Sequence, residues 1–314
     1  MIDLKPFNEF WINCMFNAKF SIITSIDKSL IDAAYINCYT YIQKTEVTPC
    51  GTPVKYLKLK NSDDKQLDFL TSVISTTPVE YRNQPNMLER IIDLLKSNFL
   101  FIGVDLYYWL PNTICWERYH WEHYSLIKKY DAQKNVFITL DENSDGFEEC
   151  EVPAPRFEIA VTNSPMKVDG YIITYNDNID KYSINYDEIL DHARRLIKEL
   201  GELYCDIWTL SNNDIKEGHM FDLFSIYAYQ IANRQKANIK LTDRLKCLNL
   251  ISLEKHTSIV RRFEELSTGW ALIKGEFMKG NMSYPKKLDC EKLNNLKNSL
   301  ILKEIETWKL LLVT

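Results

Sequence analysis

Apolar residues recur at helical spacing near the start of the chain (Phe7, Trp11, Met15, Ala18, Ile22), which predicts an amphipathic helix within residues 7–24, with Cys14 on it or at its entrance. Between residues 50 and 97 turn signals (Pro49-Cys50-Gly51, Thr77-Pro78, Gln84-Pro85-Asn86) alternate with short helical patterns, the clearest at 87–96. This segment reads as a helical lobe. The character changes at Phe99, where Phe-Leu-Phe-Ile-Gly-Val-Asp-Leu-Tyr-Tyr-Trp-Leu has the continuous apolar run of a strand buried on both faces. Residues 123–130 and 135–141 flank the turn Asp131-Ala-Gln-Lys and predict an antiparallel hairpin. With a further strand at 170–175, a sheet of about four to six strands is expected over residues 99–175.

From Asp187 the period becomes helical and stays so. Ile189, Ala193, Leu196, Ile197 and Leu200 mark one helix, residues 214–233 a second, and amphipathic stretches at 242–279 and 290–312, broken near Gly280 and Pro285, complete a helical bundle. The expected class is α+β, with a catalytic domain at 1–180 and a helical domain at 181–314.

Composition narrows the classes without choosing among them. The chain has 314 residues, 46% hydrophobic and 26% charged, as in ordinary globular proteins. A net charge of −5 argues against general nucleic-acid binding, which depends on Lys and Arg neutralising phosphates. Eight cysteines lie without the paired short spacings of a disulfide scaffold or zinc ribbon, which fits a reducing cytoplasm. Asp3, Lys5 and Glu9 interrupt the first ten residues, so no signal peptide is expected. The longest apolar runs, 99–104 and 310–313, fall short of the roughly 20 residues a membrane helix needs.

Candidate chemistry centres on Cys14. A thiol acts as thiolate, and a helix N-terminus together with a neighbouring imidazolium stabilises that form. His123 opens one hairpin strand and Asp141 closes the next, so the turn brings histidine and carboxylate within reach of each other. His120 is the rival base, set aside because only His123 leads directly into the strand pattern. Cys115, His120 and His123 supply three zinc-type ligands but no fourth at recognisable spacing. Asp141-x-Asn143-x-Asp145-Gly146 imitates a calcium loop, yet Val152 stands where a bidentate glutamate belongs. No metal is therefore expected. The other cysteines read as core thiols, and His192, His219 and His256 as surface or interface residues. Arg194, Arg195 and Lys198, and separately Arg234, Lys236, Lys240 and Arg244, read as solvated helix faces, either of them a possible dock for an acidic partner.

The order cysteine, histidine, aspartate carries a resemblance. Asn13-Cys14-Met15-Phe16-Asn17, Phe-Ile-Gly-Val-Asp-Leu-Tyr-Tyr-Trp-Leu-Pro at 101–111, His-Tyr-Ser-Leu-Ile-Lys-Lys-Tyr-Asp at 123–131 and Val-Phe-Ile-Thr-Leu-Asp at 136–141 resemble the amino-terminal domain of butirosin biosynthesis protein H and its papain-like, peptidase-like relatives. Length, helical tail and Asn-, Lys- and Ile-rich usage are also similar to the papain-like amide synthetase of closthioamide type. The resemblance implies a papain-like fold with Cys14 as nucleophile, His123 as general base and Asp141 as its orienter. It also implies an acyl donor held as a phosphopantetheine thioester on an acyl or peptidyl carrier protein, a small-molecule amine acceptor such as a diamine, and no dissociable cofactor on the enzyme.

Peptidase relatives have a glutamine six residues before the cysteine, where this chain has Asn8, so Asn8 with the Cys14 N–H is the candidate oxyanion hole. The aromatic residues before His123, Trp109, Tyr119 and Trp121 among them, are candidates for lining an acyl channel. A papain-like peptidase or thioesterase, and a catalytically inactive papain-like binding module, are the alternatives.

Overall fold

The computed structural model of the chain describes residues 2–47, 53–61, 64–82, 84–111, 113–143, 146–176, 182–205, 210–211, 218–283 and 288–313. The Pro49-Cys50-Gly51 and Pro111-Asn112 turns and the calcium-like loop each include residues outside this set, as do the helix start at Asp214 and the expected break at Pro285. The elements run α1 (Cys14–Ile26), α2 (Ile31–Tyr35), β1 (Tyr39–Val47), β2 (Pro53–Asn61), α3 (Asp64–Val73), β3 (Ile74–Val79), α4 (Met87–Leu95), β4 (Phe99–Asp105), β5 (Glu122–Asp131), β6 (Val136–Asn143), β7 (Gly146–Pro153), α5 (Ala154–Thr162), β8 (Gly170–Tyr175), α6 (Tyr186–Cys205), α7 (Gly218–Cys247), α8 (Leu253–Met282) and α9 (Cys290–Leu312). The class is mixed α+β with antiparallel sheets and C-terminal helices. No described helix is long and apolar enough to cross a membrane.

The chain divides into two compact units, residues 1–34 with 65–182, and residues 35–64 with 183–314. In the first, six strands form one antiparallel sheet in the order β3-β8-β4-β5-β6-β7. Every residue of β4 is buried, as its unbroken apolar run requires of an inner strand. Leu100, Ile102 and Val104 of β4 join Ile127, Phe137 and Val152 of the neighbouring strands in a core closed by Ile91 and Leu95 of α4 and Phe157, Ala160 and Val161 of α5. The β5–β6 connection is built on Asp131, whose carboxylate accepts the backbone N–H groups of Gln133 and Lys134, followed by Asn135 at φ 54°. Two strands lie where the sequence reading has none. β3 carries the Thr77-Pro78 pair, and Pro is tolerated there because β3 is an edge strand; β7 extends the other end of the sheet.

The second unit contains a β1–β2 hairpin in place of the start of the expected helical lobe, together with α6 to α9. The apolar stretch at 242–279 is not one helix. It is cut between Cys247 and Leu253, where Asn249 takes φ 59°. His192, expected at a surface or interface, and Arg234, expected on a solvated face, are 2% and 5% exposed, because α6 and α7 turn those positions inward. His192 packs edge-on against Tyr39 and Trp308, while Arg234 donates to the side-chain oxygen of Asn37 and lies over the Tyr39 ring. Glu304, fully buried, accepts the hydroxyls of Tyr39 and Tyr41, each at 2.6 Å, and the Gln235 amide at 3.2 Å. Buried polar groups need such partners, and here they form a connected network.

Candidate active site

Cys14 is the first residue of α1, immediately after the N-cap Asn13, whose side chain accepts the Phe16 N–H at 2.9 Å. The preceding segment is held from inside the helix. Asn17, fully buried, donates to the carbonyls of Phe7 and Phe10 and accepts the Ile12 N–H at 2.9 Å. The thiol is thereby presented at the positive end of a helix by a loop with fixed backbone.

The other two residues come from the hairpin. The β5–β6 register pairs Leu126 with Leu140, and one further step sets Ser125 opposite Asp141. Because side chains alternate along strands, Ile127, Ser125 and His123 share a face with Phe137, Thr139 and Asp141. That face runs from apolar to polar toward one end of the sheet. His123 Nε2 lies 3.1 Å from Asp141 Oδ1, and reactive atoms of Cys14, His123 and Asp141 all fall within 4.8 Å of one another. With Nε2 facing the carboxylate, the nitrogen left for the thiol is Nδ1.

Asp141 is the most constrained member. It is 2% exposed, and beyond His123 it accepts the Trp109 indole N–H on Oδ2 at 2.7 Å and the Glu142 N–H on Oδ1 at 2.8 Å. Burial pushes its carboxyl up, but the His123 charge and the hydrogen bonds from His123, Ser125 and Trp109 outweigh this and hold it below the ordinary value. For His123 burial acts downward, yet Asp141 and then Glu142 leave its net pKa raised. The Cys14 thiol is held well above its usual value by burial and by the negative charges of Asp141 and Glu142, with the Trp11 indole pulling weakly the other way. The Cys14 sulfur faces Glu142 Oε2 at 3.9 Å. Burial and the two carboxylates thus favour the protonated form of the Cys14 thiol in this arrangement.

Trp109 differs from expectation. It is 1% exposed, packed on Phe157 and bonded to Asp141, so it orients the carboxylate and lines no channel. Tyr119 is half-buried beside Arg118, and Trp121 is 43% exposed. Asn8 has an exposed side chain on the loop that Asn17 holds. His120 belongs to a separate pair: its Nδ1 lies 2.6 Å from Asp105 Oδ2, and its ring stacks on Tyr107 at 4.3 Å. Among the described residues no metal-type cluster includes Cys115 or His120. Cys14, His123 and Asp141 have the donor types a metal takes, but Asp141 spends both oxygens on N–H donors, one of them that of His123. Sequence reasoning missed Trp11 and Glu142 as neighbours of the site and gave Trp109 a different role; only the adjacency of Glu142 to Asp141 was a usable signal. Of the other described cysteines only Cys115 is buried, and Cys205 and Cys247 are exposed.

A scan against protein-family models found no match. A search of curated proteins likewise found none.

Proposed function

We propose that the chain is a cysteine-dependent acyltransferase of papain-like design, an amide synthetase that moves an acyl group from a carrier-protein thioester through an acyl-cysteine to an amine. The observation that carries the nucleophilic reading is Cys14 at the head of α1, with the His123–Asp141 hydrogen bond of 3.1 Å beside it. The choice of thioester donor and amine acceptor rests on the sequence resemblance.

In this mechanism His123 Nδ1 takes the Cys14 proton as the sulfur attacks the thioester carbonyl. The oxyanion is stabilised by the Cys14 N–H, one of the unbonded donors of a first helical turn, with Asn8 as the proposed second donor. Collapse expels the carrier thiol, which leaves with the proton from His123. The amine then attacks the acyl-cysteine and gives its proton to His123, and the amide departs as that proton returns to the Cys14 sulfur. Asp141, held by Trp109, keeps the imidazole oriented throughout.

The test incubates the protein with an acyl-carrier thioester, with and without a diamine, and follows intact mass. An acyl adduct that is absent in Cys14→Ala, with amide formed only when amine is present, supports the proposal. Free acid released at the same rate with or without amine would make the protein a thioesterase or peptidase. No adduct in the wild-type chain would make it a binding module.

A further inference from the structure

Behind the cluster lies a pair of buried hydroxyls that the mechanism above does not use. One register step beyond the Leu126–Leu140 pair, Ser125 of β5 stands opposite Asp141 of β6, at the spacing where cross-strand side chains interact. Thr139, two residues before Asp141, lies on the same face. Ser125 is 1% exposed and Thr139 is fully buried. Their oxygens are 2.6 Å apart, and Thr139 Oγ1 lies 2.9 Å from the Leu126 carbonyl oxygen. The Ser125 hydroxyl also reaches the Asp141 carboxylate.

Proton counting leaves two arrangements, because each hydroxyl donates once and can also accept. In one, Ser125 donates to Thr139 and Thr139 to the Leu126 carbonyl, so Asp141 receives nothing from the pair. In the other, Thr139 donates to Ser125 and Ser125 to Asp141. Both keep the 2.6 Å contact bonded, so the exchange takes two hydroxyl rotations and no backbone movement. At the carboxylate the two differ by one donor. Asp141 already accepts from His123, the Trp109 indole and the Glu142 N–H, and a carboxylate has about four acceptor sites, so the Ser125 proton fills its shell. A hydrogen bond to a carboxylate stabilises its charge and weakens its hold on a neighbouring imidazolium.

We propose that the Ser125–Thr139 pair is a switchable positioning element: Ser125 donates to Asp141 while His123 is neutral and turns to Thr139 when His123 becomes protonated. The buried carboxylate needs the extra donor only while its charge faces a neutral ring. Once the imidazolium compensates it, the Leu126 carbonyl is the better outlet for the second proton. The role in turnover rests on the proposed reading of His123 as base. The other titratable groups that face His123 and Asp141 among the described residues are Cys14 of α1, Glu142 of β6, and Glu148 and Cys150 of β7.

The test titrates His123 in the full chain by nuclear magnetic resonance, with His123→Asn to assign its signal. Ser125→Ala removes the switchable donor and should raise the His123 midpoint by about 0.5 of a pH unit. Thr139→Val leaves Asp141 as the acceptor for Ser125 and should lower it by about 0.5. Thr139→Ser keeps the hydroxyl and should titrate as wild type, and Thr139→Ala replaces Thr139→Val if that chain does not fold. A merely structural role, felt as lost polarity around the ring, would move both midpoints down, so opposite signs separate the two. Shifts of the same sign, or no shift in either folded variant, overturn the proposal. The titration needs no substrate: opposite shifts in a chain that forms no acyl adduct would overturn the proposed function alone, and an adduct with same-sign shifts would overturn this inference alone.

Discussion

Replacing Trp109 with Phe asks whether a buried indole sets the Asp141 carboxylate of the proposed triad. Its Nε1–H lies 2.7 Å from Asp141 Oδ2, and both residues are essentially excluded from solvent. A hydrogen bond to a charged acceptor contributes about 1.5–3 kcal/mol, and Phe removes it while keeping an aromatic ring at the site. The substitution also loses packing on Phe157, so the single variant overstates the bond. A double-mutant cycle with Asp141→Ala, read from urea unfolding at pH 7, cancels that packing loss and should return a coupling of about 1.5–3 kcal/mol. Because the folded carboxyl is held below its ordinary value of 3.8, the charged part of the coupling is present above that pH and is lost as pH falls through the folded pKa. Acid titration should therefore shrink the coupling toward the value of a neutral hydrogen bond, about 1 kcal/mol. In turnover, a base no longer held in line costs on the order of a hundredfold in rate. Additivity of the two substitutions within about 0.5 kcal/mol at pH 7 would refute the assignment.

Glu142→Gln removes a negative charge beside both Cys14 and His123, so the rise in iodoacetamide labelling of Cys14 with pH should move to lower pH; mass spectrometry reads the profile, and an upward move would mean that the Glu142 charge does not hold the thiol proton in place. Burial raises Glu304 above its ordinary carboxylate value, so its stabilising contribution is full at low pH and is lost as pH rises through the folded pKa. The stability of wild type relative to Glu304→Gln should fall over that rise, and a difference independent of pH would count against a raised Glu304. In Gly170→Ala the new Cβ would meet the Phe101 carbonyl at 2.5 Å and the Tyr81 hydroxyl at 2.8 Å, a clash that should cost about 1–3 kcal/mol in thermal unfolding; an unchanged midpoint would show that the strand gives way freely. Dialysis against a chelator should leave the proposed acyl transfer by Cys14 intact, and a loss restored by a divalent cation would turn the cluster into a metal centre.

The central hairpin was legible because its signals are local. Asp131 and Asn135 supply the turn chemistry, and strand alternation alone carries His123 and Asp141 onto one face. The helix carrying Cys14 was legible from apolar spacing, but its start was not: the spacing begins at Phe7, whereas α1 begins at Cys14 because Asn13 caps it and Asn17 holds residues 7–12 as a loop. The β1–β2 hairpin was not read, although Leu57 and Leu59 alternating with Lys58 and Lys60 has a strand period, because turn residues around Cys50 suggested a helical lobe. The burial of His192 and Arg234 depends on which face of a helix its neighbours cover, and charged residues nearby pointed the wrong way. Trp109 was misjudged for a related reason: nothing local tells an indole that lines a cavity from one that donates to a carboxylate 32 positions later.

The Asn17 amide ties the fate of the loop to the fate of the helix. Its three bonds to Phe7, Phe10 and Ile12 require the first turn of α1 to be wound, so residues 7–12 and the opening turn should form and melt together. Native-state hydrogen exchange would then find the Ile12 and Phe16 amides opening in one event. During that opening Cys14 would lose its helix terminus and its setting beside His123 at the same moment. A partly unwound molecule would carry a thiol released from the burial and the carboxylate charges that hold its pKa up, so fraying would dismantle the site and at the same time make the sulfur easier to ionise.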